Sequence, residues 1–156
     1  MARIKYEGRT KIHWVTTIAD TDAPTAAEIT AGVDLTPFVT KDGYQPNVTN
    51  NTIDTAGIDS DFNSMIQGSF GADLSLVCMR DDTTDTAFDT LTRLAQGFVV
   101  VGLNSAAGIA ATDVVEVWPA ELGTPVMANS GQDTLQTFTV SVAVSEPPTF
   151  DAEVAA

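Results

Sequence analysis

The chain has 156 residues, 44% of them hydrophobic, so it can bury a real core and is too apolar to be a disordered segment. Seven Lys and Arg stand against 21 Asp and Glu, a net charge of −14. That balance disfavours nucleic acid and anionic membrane surfaces, which both call for basic residues opposite phosphates.

Residues 1–10 are polar and lack the apolar stretch of a secretory signal, so they read as a flexible N-terminal segment. Residues 11–18, with Ile12, Trp14, Val15 and Ile18, predict a first strand. Pro24, Glu28 and Gly32 bracket one or two helical turns over 25–32, and 34–40 predict a short second strand. Residues 43–63 are the least hydrophobic stretch, rich in Asn, Thr and Asp. They read either as a long functional loop or, from the spacing of Val48, Ile53 and Ile58, as short edge strands. Two matches to the glycosylation pattern, at Asn47 and Asn50, read as loop composition. Asp54, Asp59 and Asp61 lack both the spacing and the terminal Glu of a calcium loop.

Residues 64–70 and 72–80 predict consecutive strands, with Gly68 and Gly71 at their ends and Cys78 a buried thiol in an apolar run. A helix is predicted over 82–96: Asp82 suits the N-cap, Ala87, Phe88, Leu91, Leu94 and Ala95 form one stripe, and Gly97 is the stop. Residues 98–103 read as a buried strand and 113–118 as another, ended by Pro119. A polar loop over 121–133 leaves room for a short strand at 125–127. Residues 135–145 have the clearest two-residue alternation, Pro147 and Pro148 stop it, and the tail after Pro148 is expected to be loose. These elements predict a single domain over 1–156, mainly β: an antiparallel β-sandwich or barrel of about seven strands, with one flanking helix at about 82–96 and long loops.

A reacting constellation is missing. His13 is the only histidine and Cys78 the only cysteine, both in predicted strands, and no phosphate-binding glycine loop is present. The expectation is a protein that is not an enzyme and uses no cofactor or metal.

Trp14 to Ile18, Ala23 to Thr36, Val115 to Pro119 and Gln136 to Val144 together resemble the major tail proteins of long-tailed bacteriophages, the tail tube proteins, particularly of phages infecting actinobacteria. The order of elements agrees over most of the chain. The resemblance implies a subunit of the virion tail, assembled in the host cytoplasm, whose hexameric rings stack into a tube. Sheets join edge to edge around a lumen, and long loops and termini bridge successive rings. Implied partners are other copies of the chain, the tape-measure protein, the tail terminator and distal tail or baseplate proteins, with double-stranded DNA passing through without specific binding and no membrane involved. On this reading Asp73 and Glu116 are candidates for acidic lumen positions. Residues 43–63, with Asp54, Asp59 and Asp61, are the candidate inter-ring arm. Alternatives are a capsid decoration or tail-terminator protein, or a small β-sandwich ligand-binding module. The acidity itself serves either solubility alone or a phosphate-repelling channel.

Overall fold

A computed structural model describes residues 1–128 and 131–156. Along the chain run β1 (Lys11–Val15), α1 (Ala26–Ala31), β2 (Val33–Asp34), β3 (Val39–Asp54), β4 (Met65–Met79), α2 (Thr86–Thr90), β5 (Gln96–Gly102), β6 (Val114–Leu122), β7 (Val126–Met127), β8 (Thr137–Val144) and β9 (Thr149–Glu153). All nine strands belong to one antiparallel sheet in the order β2-β1-β5-β6-β8-β4-β3, with β7 added on β8 and β9 on β6. The expected mainly-β antiparallel class is therefore what forms. The sheet does not close into a barrel, because β2 and β3 at its two ends do not pair. A turn over 35–38 ties the two regions instead: Leu35 N–H donates to Ile12 O at 2.9 Å, and Phe38 O accepts from Met79 N–H at 2.7 Å.

Alternation sets which side chains go inside. Ile12 and Trp14 of β1, Leu74, Leu76 and Cys78 of β4, Val99 and Val101 of β5, Trp118 and Leu122 of β6, and Phe138, Val140 and Val142 of β8 form the main core. The other face of β1, β5 and β6 carries Val15, Val100, Val115 and Val117, which pack with Ile29 of α1 and with Ala152 and Val154 at the C-terminus. Both faces of β5 are thus covered, which is why Val99, Val100 and Val101 can be apolar in succession. Cys78 is fully buried, and burial pushes its thiol up to about 12. At the start of α1, Thr25 and Glu28 form a reciprocal capping box. The Thr25 and Ala19 backbone N–H groups hold the Glu28 carboxyl below its usual range.

Several expectations change. The helix is only α2, five residues long. Leu94 N–H donates to Leu122 O and Leu122 N–H to Ala95 O, so the chain after Leu91 is drawn into pairing with the end of β6. The N-cap position belongs to Asp85 rather than Asp82. Asp85 sits in the left-handed region (φ 41°) with its carboxylate on the Arg80 guanidinium, which holds it below its usual range. Gly97 lies inside β5, where an added Cβ would be 2.7 Å from Val15 O and 2.8 Å from Trp14 Cζ2.

Strand β6 does not end at Pro119. Pro119 O accepts from Ser145 N–H, so its nitrogen faces the same side, in the gap where β6 leaves β9 and takes up β8. No donor is needed there, and proline is tolerated. The two strands expected over 64–80 are one, β4, with Gly68 and Gly71 inside it. The tail expected to be loose forms β9, pairs with β6 and buries Ala152 and Val154.

Truncation after Pro148 would uncover Val115 and Val117, so the urea midpoint should fall; an unchanged midpoint would show that the C-terminus contributes nothing. Gly97→Ala should cost about 1–3 kcal/mol in the same titration, since the flanking backbone and indole must shift.

Candidate assembly interface

Strands β3 and β4 pair along almost their whole length, but β8 pairs with β4 only between Asp73 and Met79. Beyond Asp73 the two strands leave the body as a two-stranded ribbon. Eight residues of strand carry it roughly 26 Å at the usual rise. A ribbon of this kind is marginal in water by itself.

The sequence shows why it can pair and yet not bury. On the β3 side, residues 47–54, Asn and Thr fill five of eight positions, so alternation there has no core to follow. Asn47 Nδ2 donates to Asp73 Oδ1 at 2.8 Å and Asn51 Nδ2 to Ser69 Oγ at 3.2 Å across the two strands. The register shifts by one between Asn50–Phe70 and Thr52–Gln67, leaving an extra residue on β4. Such a bulge bends and twists the ribbon. Val48, Ile53, Met65, Ile66 and Phe70 are exposed along it, and at its tip Ile58 and Phe62 are 109% and 75% exposed.

The segment read as either a long loop or short edge strands is thus mostly β3, and the loop proper is 55–64, closed by Thr55 N–H to Ser64 O at 2.8 Å. Asp54 ends the strand and accepts from Ala56 N–H at 2.8 Å; Asp59 and Asp61 are exposed in the loop. The fold brings these three to one end of the molecule. Among the described residues no three His, Cys, Asp or Glu side chains converge as metal ligands would.

The two wall candidates separate. Asp73 is exposed and lies opposite Ala143, which lies opposite Glu121, on the face away from the main core. Glu116 shares a face with Trp118 and Leu122, which carry the main core. Its Oε2 accepts from the Tyr44 hydroxyl at 2.5 Å and from Trp118 Nε1 at 3.3 Å. Glu116 is therefore engaged inside the subunit and is not a free charge on the Asp73 face. Burial, then the Glu116 carboxylate, pushes the Tyr44 phenol well above its ordinary value.

Sequence reasoning did not single out Tyr44. The signal that could have found it is the one aromatic residue in a mostly polar strand. His13 is half-buried beside Asp34, at 3.8 Å; its Nδ1 is buried with no partner among the described residues, and burial lowers its pKa more than Asp34 raises it.

The free side of β3 is an edge with no strand beside it among the described residues. A long exposed edge is a template for pairing with another chain.

A family model described as phage tail tube protein matches residues 1–156. No curated protein matches the sequence. Among solved structures, the sheath–tube complex of an extracellular contractile injection system, PVC, in its extended state, is similar with a TM-score of 0.61 at 11% identity, over 94% of this chain and 90% of that one. The SPP1 tail tube gives 0.59 at 12%, over 95% and 79%. The tail of an empty GTA particle with C6 symmetry gives 0.56 at 12%, over 97% and 100%. At these identities the likeness concerns the fold.

Tyr44→Phe should destabilise the subunit by about 1–3 kcal/mol, because Glu116 loses its closest donor while partly buried. The tyrosine also predicts a pH response. Unfolded chains release the phenol proton above about pH 10 while the folded chain keeps it, so stability is full below that pH and falls above it. Urea midpoints measured between pH 8 and 11 should show the fall in the wild type and a smaller one in Tyr44→Phe; equal slopes would contradict the account.

Proposed function

The chain belongs to the phage tail tube protein family, and from that premise we propose that its copies close into hexameric rings that stack into a conduit for double-stranded DNA. As a member of that family it is a structural subunit of the virion tail. The observation that carries the assembly reading is the ribbon: a long β hairpin with an open edge and exposed apolar side chains, marginal alone and stable when another chain covers it. Six copies per ring is supported by the six-fold symmetry of the similar GTA tail.

In this reading neighbouring subunits join sheet edge to sheet edge, a head-to-tail contact that closes. The face carrying Asp73 and Glu121, with Ser141 and Thr139 of β8, is the candidate lumen wall. The named side chains are polar or acidic and none is basic, so they offer phosphates no counter-charge and DNA slides past. The ribbon, with Asp54, Asp59 and Asp61 at its end, is the arm that reaches the next ring. The tape-measure protein fills the tube during assembly, the terminator and the distal tail or baseplate proteins cap it, and assembly takes place in the host cytoplasm, away from membranes. The role is structural rather than catalytic.

Gold-labelled antibodies against this chain should decorate tails along their whole length. Label confined to heads or to one tail end would overturn the reading in favour of a decoration or terminator protein. Replacing residues 49–71 by an Asn-Gly turn should leave the unfolding midpoint close to wild type, since the excised part is outside both cores, and should abolish tails in the same images.

A further inference from the structure

The ribbon's covering partner can be narrowed by charge, and the argument rests on the self-assembly reading above. We propose that the N-terminal segment of one copy docks along the distal half of the ribbon of a neighbouring copy. Arg3, Lys5, Arg9 and Lys11 are four of the seven basic residues in the chain, and Glu7 is the only acidic residue before Asp20. From Asp42 to Met79 the balance is reversed: five Asp and no Lys or Arg. Within the subunit Arg9 donates to Asn104 Oδ1, and among the described residues none of the four basic side chains forms an ion pair. Copies carrying −14 repel one another. A basic segment meeting an acidic ribbon offsets that repulsion where copies touch.

The apolar pattern agrees. Ile4 and Tyr6 alternate with Arg3 and Lys5 and are exposed, so an extended segment turns an apolar side to one face and a basic side to the other. That is what the free edge of β3 and the exposed Ile53, Phe62 and Phe70 would receive, by strand addition.

Length decides that the contact is between copies. Tyr6 lines a cleft with Val39 and Tyr44, at the base of its own ribbon. The five residues before it reach at most about 18 Å when extended. The ten residues from Tyr44 to Asp54 run about 33 Å of strand. Arg3 and Lys5 therefore fall short of Asp59 and Asp61 at the tip of their own ribbon and can meet those two carboxylates only on a neighbour's.

The test replaces the wild-type chain in infected cells and counts tailed particles by electron microscopy. Arg3→Glu with Lys5→Glu, and separately Asp59→Lys with Asp61→Lys, should each lower the count about tenfold or more, since each reverses the charge on one side of the contact. Combining all four substitutions should restore most of it. All four sites are exposed, so the purified variants should unfold at the wild-type midpoint, which separates assembly from folding. Wild-type counts with the Arg3/Lys5 variant, or a combined variant no better than either pair, would overturn the docking while leaving the tube reading intact. Absence of the wild-type chain from tails would remove both.

Discussion

Backbone pairing on β4 stops on one side at Asp73, and most of what distinguishes this molecule depends on that. From Asp73 to Met79 the strand lies between β3 and β8, and Leu74, Leu76 and Cys78 are buried. From Met65 to Ala72 it has only β3. The same hairpin is core at one end and solvent-exposed ribbon at the other. A buried strand pair must satisfy its backbone and its side chains together; an exposed one can leave both to water or to another chain.

The body that holds the ribbon is built on strands packed from both faces. Strands β5 and β6 are covered on both faces, by the main core on one and by α1 and the C-terminal residues on the other. Strand β6 is the junction: it pairs with β5 on one side and with β9 and then β8 on the other, changing partner across Pro119. The C-terminus thereby completes a core rather than trailing from it. The Tyr44–Glu116–Trp118 contacts tie the first part of β3 to β6 at the edge of that core. The ribbon thus starts from a fixed point.

Charge acquires meaning through position. A net −14 by itself is compatible with simple solubility. The fold gathers Asp54, Asp59 and Asp61 at the end of the ribbon and leaves the basic Arg3 and Lys5 exposed in the segment that precedes Tyr6 at its base. It also divides the two wall candidates, Asp73 outward and Glu116 against the core. Acidity spread through the sequence becomes localised surfaces of opposite sign.

The sequence by itself determined the mainly-β class, because the alternation from Phe138 to Val144 and the β-branched run at Val99 to Val101 admit little else. It also determined the family, through strand segments that carry the resemblance. It predicted a strand over 64–70 but left residues 43–63 open between a long loop and short edge strands, because strand patterns record burial and this strand pair is not buried. It overstated the helix, since the stripe from Ala87 to Ala95 does not register that Leu94 and Ala95 find backbone partners at Leu122. It missed β9 because Ala152 and Val154 look unremarkable until a facing Val115 and Val117 need covering. Local pattern is read within a few residues. Which strand ends a sheet, which face meets a second layer and which carboxylate meets a tyrosine depend on residues far apart in the chain, and those only the tertiary structure decided.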